Sequence, residues 1–188
     1  MRIKDKLYKV AADLFEQKGY PATSIRDIAH EMNLKPSSLY SHIKSKEEIL
    51  ISICHLVADA YESGLSKIME EIEDPKQRLQ AVIDLHVDMA CTDAVSITVF
   101  NNEWKHLPEP ELRLFTHRRR RYEKRLMDII RPLSQKSNLP SGASYFFLQS
   151  ILSSMLWLHR TEVKKIGISQ SQIKELMKTF ILSGILKD

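Results

Sequence analysis

The stretch from Ser37 to Leu50, SSLYSHIKSKEEIL, ends one short apolar turn and opens another helix, with Tyr40, His42 and Lys46 around the break. A phenol, an imidazole and an ammonium crowded at the ends of two adjoining helices are all groups that meet anionic oxygens. Ser37 and Ser38 come just before them, and small hydroxyl residues let the start of a helix approach a groove closely. Lys46 falls in the first turn of the following helix. A cation there opposes the helix dipole unless an anion shares the helix's free N–H groups. Thr23 and Ser24 offer a second helix start of the same kind. Together these side chains suit a clamp on two stretches of sugar-phosphate backbone.

The elements that must position them read as helices. Ile3, Leu7, Val10, Ala11, Leu14 and Phe15 recur at helical spacing and predict a helix over 3–18, stopped at Gly19. Thr23 or Ser24 caps a second helix bearing Ile25, Ile28, Ala29 and Met32, which Asn33 and Leu34 break. A third begins near Lys35 with Pro36 in its first turn, where the missing N–H costs nothing, and runs to about Ser41. Leu34, Leu39 and Ile43 are expected to close a core with Leu14 and Phe15. Ser45 and Glu48 form a capping-box pattern that opens a long fourth helix, read over 45–72 through Ile49, Ile53, Leu56, Ala60, Leu65, Ile68 and Ile72. Asp74-Pro75 starts a fifth over 75–91. Further helices are expected over 93–106, 109–136, 141–165 and 170–187. No β-type alternation of useful length occurs, so the predicted fold class is all-α, with about nine helices. Three short helices within the first 43 residues have the dimensions of a helix-turn-helix unit.

Composition narrows the class further. The chain has 188 residues, 43 % apolar and 28 % charged, which is a globular composition. Cys54 and Cys91 lie far apart without metal-ligand spacing, so neither a disulfide framework nor a metal site is expected, and a reducing cytoplasm is the simplest compartment. The N-terminus lacks the continuous apolar segment of a signal peptide, and YFFLQSILSSMLWL is too short and too polar to span a bilayer. The basic excess sits mid-chain. Residues 1–49 carry nine Lys/Arg against seven Asp/Glu, whereas residues 111–136 carry nine against three.

The segment LYKVAADLFEQKGYPATSIRDIAHEMNLKPSSLYSHIKSKEEIL resembles the N-terminal DNA-binding domain of the tetracycline-repressor (TetR) family. The likeness covers about residues 4–50 and rests on Ala-x-x-Leu-Phe, Gly19-Tyr20, Thr23, Ile28-Ala29, Leu39-Tyr40-x-His42 and Lys46-Glu47. Ile43 stands where Phe is usual, and Ser37 where Gly or Pro is frequent. The resemblance implies a homodimer that binds a palindromic double-stranded operator through residues 1–49. Residues 50–188 would form a helical domain for effector binding and dimerisation. Carried over by position, Tyr40, His42, Lys46 and the helix start at Ser24 would contact phosphates, and Arg26, Lys35, Pro36, Ser37 and Ser38 would approach bases. Members are not enzymes and need no cofactor.

Residues 50–188 carry no motif that fixes a ligand. The cavity candidates are His86, Met89, Phe100, Trp104, Tyr122, Phe147, Ile151 and Met155, although such stripes at helical spacing are core more often than pocket. Arg118 to Arg121 step by about 100° each and cannot share one solvated face. Arg118, Arg121, Tyr122 and Arg125 do share a side, where Glu103 is the expected acidic partner or else a bound anion. The same segment resembles, more loosely, fatty-acid-responsive TetR members that bind acyl-CoA, which implies a small hydrophobic effector with a phosphate-rich head. The apolar positions of 141–187 exceed one face per helix, as a dimer interface requires. The rival class is a helical small-molecule binding protein or an enzyme that does not bind DNA. No nucleophile elbow, metal spacing or phosphate loop supports it.

Overall fold

The computed structural model describes residues 3–135, 140, 142–158 and 167–185, and among these there are helices and no strands. The helices are α1 (Ile3–Lys18), α2 (Ile25–Glu31), α3 (Pro36–Leu39), α4 (Lys46–Glu71), α5 (Pro75–Thr92), α6 (Ala94–Glu103), α7 (Glu111–Gln135), α8 (Ala143–Met155) and α9 (Gln170–Ile185). A 3-10 turn, Trp104–His106, follows α6. The all-α class holds. The helix expected over 141–165 is found over Ala143–Met155, and 159–166 and 186–188 lie outside the described residues.

The chain divides into two compact units. The N-terminal unit comprises Met1–Ala58 and Val95–Thr116, and the C-terminal unit comprises Asp59–Ala94 and His117–Asp188. α4 and α7 each contribute residues to both. In the N-terminal unit Leu7, Ala11, Leu14, Phe15, Ile28, Ala29, Leu39, Ile43, Leu50 and Ile53 form one core with Val99, Leu107 and Phe115. In the C-terminal unit Leu65, Leu79, Val82, Ile83, Leu126, Ile129, Ile151, Ile173, Met177 and Ile181 form another. Within that unit α9 also lies along α5 through charge pairs, Lys178 to Asp84 at 2.9 Å and Lys174 to Asp88.

The local start and stop signals operate as the sequence suggests, with instructive exceptions. Gly19 takes φ +83° after α1, a conformation that glycine adopts without a Cβ penalty. Ser24 caps α2 with a full capping box, its reciprocal partner being Asp27. Asp74 caps α5, accepting from the Gln77 N–H at 2.8 Å, with Pro75 in the first turn. At α4 the box is only half made. Ser45 Oγ accepts from the Glu48 N–H at 3.3 Å, but the Glu48 carboxylate accepts from the Lys44 N–H at 2.7 Å, one residue earlier than the expected return bond.

Three expectations are corrected. Thr23 does not face outward as a phosphate-facing helix start. It is buried, and its hydroxyl is bonded to the Gly19 and Leu14 carbonyls at 2.9 and 3.3 Å, which ties the α1–α2 loop to the last turns of α1. Leu34 does not close the core. It is 37 % exposed because the chain turns through Asn33 at φ +56°, and Leu39 and Ile43 fill the space instead. The buried stripe of α4 runs through Leu50, Cys54, Val57, Tyr61 and Leu65, leaving Leu56 66 % exposed and Ala60 on the surface. One residue turns the helix by about 100°, so two stripes with the same spacing were available, and packing chose the one through Val57 and Tyr61.

The α2–α3 turn is defined by Asn33. Its N–H donates to the His30 carbonyl at 3.0 Å and that of Leu34 to the Ala29 carbonyl at 2.9 Å. A positive φ is tolerated by Asn and Gly but not by β-branched residues. Asn33→Val should therefore lower unfolding free energy by about 1–2 kcal/mol in urea melts, whereas Asn33→Gly should change it by no more than a few tenths.

Candidate functional site

The capped α2 and the short α3 present a coherent polar surface on the N-terminal unit. Ser24, Arg26, Lys35, Pro36, Ser37 and Ser38 are exposed, Tyr40 is 56 % exposed, and His42 is half-buried. Leu39 and Ile43 anchor the opposite side of the same turn in the core. Ser41 Oγ donates to the Ser38 carbonyl at 2.7 Å, closing the end of α3. At Ser24 the backbone N–H donates to Asp27 Oδ2 at 2.7 Å, and hydrogen bonds from the serine hydroxyl and then its N–H hold the Asp27 carboxyl below its ordinary value. The first turn of α2 therefore keeps a fixed geometry. The structure brings all eight of these candidates to the α2–α3 segment of one unit.

Lys46 is used differently. Its Nζ donates to the Tyr20 and Thr23 carbonyls, both at 2.8 Å, and lies 4.1 Å from the centre of the Tyr20 ring. The ammonium thus closes the α1–α2 loop from below while Thr23 closes it from within. Tyr20 is buried, packed edge-on against Phe15 at 5.1 Å and stacked on His106 at 5.8 Å. Burial, reinforced by the charge and hydrogen bond of Glu47, pushes the Tyr20 phenol up to about 12. Nothing in the sequence motif signals these carbonyl contacts, because they join residues 23 and 26 positions apart.

The eight cavity candidates and the Glu103, Arg118, Arg121 and Arg125 group separate. Phe100 and Trp104 belong to the N-terminal unit, where both pack on Phe115, at 5.3 and 5.8 Å between ring centres. Glu103 also lies there and pairs with His106 at 3.5 Å, so it is not the partner of the arginine run. That partner is the acidic face of α4. Arg118 Nε reaches Glu62 Oε1 at 2.9 Å and its Nη2 reaches Asp59, while Arg121 reaches Glu62 Oε2 at 3.2 Å. Burial works against the charge on Glu62, but Arg118 and then Arg121 outweigh it and hold the carboxyl below its ordinary value. Arg125 donates to Ser66 Oγ at 3.0 Å. The sequence reading missed Asp59 and Glu62 although an acidic residue one turn apart on α4 was visible.

In the C-terminal unit Ile151 and Met155 are core residues, Phe147 packs against that core, and Met89 is half-buried. His86 and Tyr122 are joined, Nε2 to Oη, at 2.9 Å, and the Tyr61 ring stands 4.5 Å from that of His86 and 5.9 Å from that of Tyr122. Desolvation pushes His86 down to about 4 and both phenols well above their ordinary range. Tyr61 was not foreseen, because an aromatic at helical spacing carries no mark that separates core from pocket. Among the described residues no group of three His, Cys, Asp or Glu is placed to hold a metal ion, and no helix is long and apolar enough to cross a membrane.

Comparison with known proteins bears directly on this surface. Residues 7–53 match the family model of bacterial regulatory proteins, tetR family, and residues 73–160 match that of the tetracyclin repressor-like C-terminal domain. The HTH-type transcriptional repressor KstR2 of Mycolicibacterium smegmatis is 22 % identical over 184 residues, 97 % of this chain and 90 % of that protein. The fold resembles the crystal structure of a TetR-family regulator from Bordetella parapertussis, with TM-score 0.88, 20 % identity and coverage of 100 % and 99 % of the two chains. It also resembles AibR, solved in complex with isovaleryl coenzyme A and operator DNA, with TM-score 0.76, 22 % identity and coverage of 94 % and 96 %. The chain belongs to the TetR family, and it is a helix-turn-helix transcriptional regulator, not an enzyme.

Proposed function

We propose that the protein is a repressor that binds a palindromic operator as a homodimer through residues 1–49 and is released by a small hydrophobic effector held in residues 50–188. The observation that carries the DNA-binding part is the exposed set on α2 and α3, backed by a rigid, fully capped α2 and by the Lys46 clamp. Tyr40, His42 and the α2 start at Ser24 supply phosphate contacts in this reading, and Arg26, Lys35, Pro36, Ser37 and Ser38 approach base edges in the major groove. Lys46 acts as a positioning residue, since its ammonium is already placed on two carbonyls. Two copies of α3, set about one helical turn of DNA apart, would enter successive grooves.

Dimerisation in this reading uses the faces of α8 and α9 turned away from the core. Tyr145 and Phe146 on α8 and Leu176 and Phe180 on α9 are 58–69 % exposed, while Leu148, Ile151, Ile173, Met177 and Ile181 fill the core on the other side. Two apolar faces on one helix are what a helix buried twice, once within and once between subunits, requires. Residues 141, 159–166 and 186–187 of the 141–187 segment expected at this interface lie outside the described residues.

The effector reading rests on a C-terminal unit whose aromatic and polar groups at His86, Tyr122 and Tyr61 are not needed for DNA contact. An acyl-CoA remains the proposed class, supported by the AibR likeness and by the sequence around Glu103-Trp104 and the arginine run. The mechanism is a population shift: a ligand favouring the form whose half-site spacing is wrong must do so by roughly 5 kcal/mol to move the dimer from mostly bound to mostly free. The cytoplasm is where such a regulator meets DNA and acyl-CoA together.

Gel shifts with a palindromic fragment of the protein's own promoter should show binding that weakens at least about tenfold between 50 and 200 mM salt. Tyr40→Ala should weaken it on operator and non-specific duplex alike. Salt-independent binding, or none, would exclude the reading. In sedimentation experiments the double substitution Leu176→Asp, Phe180→Asp should convert a dimer to monomer and abolish operator binding.

A further inference from the structure

We propose that the His86–Tyr122 pair, walled by Tyr61, is the polar recognition point of the effector site and selects a neutral carbonyl or hydroxyl on an apolar ligand in preference to a carboxylate. The inference rests on the effector reading above and adds the chemical group that the site reads.

The three side chains come from three helices of the C-terminal unit, α4, α5 and α7, and meet at the 2.9 Å bond between His86 Nε2 and Tyr122 Oη. The ring of Tyr61 is 4.5 Å from that of His86 at 33°, covering one side of the imidazole. One turn further along α4 the helices cross so closely that a Cβ on Gly64 would stand 2.7 Å from a methyl carbon of Leu85, the neighbour of His86. Gly64 leaves room there for the Leu85 side chain. Tyr61 is buried, whereas His86 and Tyr122 each keep part of their surface accessible. Apolar residues of the same unit, Val82, Leu126 and Ile83, are buried without residual surface to speak of.

A hydrogen-bonded polar pair among apolar side chains is costly compared with a purely apolar pair of the same shape. A neutral imidazole has one donor and one acceptor nitrogen, and a phenol has one donor hydrogen and an oxygen that accepts. Their mutual bond consumes one donor and one acceptor, whichever tautomer is present. One donor and one acceptor therefore remain for a ligand. A carbonyl can meet the donor, and a hydroxyl can meet either the donor or the acceptor. A carboxylate would bring a full charge into the desolvated cluster with a single neutral donor to meet it. Desolvation keeps His86 uncharged, so the imidazole offers no compensating cation at neutral pH. Three guanidinium groups on the helix of Tyr122 are already engaged, Arg118 and Arg121 with Glu62 and Arg125 with Ser66. The shared chemistry fits two sources, the thioester carbonyl of an acyl-CoA and the oxygen of an uncharged ketone or alcohol.

The test uses the full-length protein and four probes of one chain length: 2-decanone, 1-decanol, decanoate and decanoyl-CoA. Binding is measured by calorimetry at pH 7.5 and by release of the operator fragment. The expected result is that 2-decanone or 1-decanol binds at least tenfold more tightly than decanoate. Tyr122→Phe and His86→Leu should each weaken the tighter uncharged probe at least fivefold, and His86→Gln, which keeps a donor and an acceptor, should recover most of the loss. If decanoyl-CoA is the effector, the same two substitutions should raise the concentration needed for release by a similar factor, which identifies the thioester as the source. Decanoate binding within twofold of both uncharged probes overturns the proposal. So does release by decanoyl-CoA that is the same in wild type and in Tyr122→Phe, and in that case the effector reading survives alone. Failure of all four probes to bind or to release operator overturns both together. The preference among probes is measured on wild-type protein, so it stands even where a variant fails to fold.

Discussion

The α1–α2 loop is the constraint on which the exposed α2–α3 surface depends. It must turn the chain between two helices within six residues while leaving the end carbonyls of α1 with partners. Thr23 meets the Leu14 and Gly19 carbonyls from inside the fold, and the Lys46 ammonium meets the carbonyls of Tyr20 and Thr23 from α4, 2.8 Å away in each case. An ammonium between two carbonyls and against an aromatic face is held by charge-assisted bonds and a cation–π contact, each stronger than the neutral equivalent. With that loop fixed, the N-cap of α2 sits in one place, and α3, only four residues long, takes its orientation from Leu39 and Ile43 in the core. A helix so short has no stability of its own, so its presentation to DNA is a property of the surrounding packing.

The two units divide their chemistry. The N-terminal unit exposes its polar side chains and buries a continuous apolar core beneath them. In the C-terminal unit Asp59 and Glu62 of α4 take up Arg118 and Arg121 of the mid-chain basic run. A phosphate binding there would have to compete with these carboxylates. Among the described residues of that unit, His86 and Tyr122 form a bonded polar pair in an apolar setting, and burial keeps the imidazole neutral.

Much of this was legible before any coordinates. The starts of α2 and α5 are local events between residues three apart, Ser24 with Asp27 and Asp74 with Gln77, and sequence alone carries them. The core role expected of Leu39 and Ile43 is met, and Tyr40 beside them lies at the surface. What was not legible depends on partners distant in the chain. The contacts of Lys46 were not legible because its carbonyl partners, backbone groups of Tyr20 and Thr23, have no residue identity to read. Glu103 looked like the partner of the arginines because both lie in one unusual segment, yet it bonds His106 three residues on. The stripe of α4 through Leu56 and Ala60 was as periodic as the true one through Val57 and Tyr61. Periodicity defines a face but not its bearing, and with the wrong bearing Tyr61 went unnoticed beside His86 and Tyr122.

The central claim is that Lys46 serves DNA binding through the loop it clamps and not by touching phosphate. Operator affinity of wild type and Lys46→Met across a salt series separates the two roles, because each phosphate contact adds about 0.9 to the slope of log affinity against log salt. The account predicts weaker binding by Lys46→Met with an unchanged slope. A slope shallower by about one contact per protomer, or an affinity equal to wild type, would contradict it.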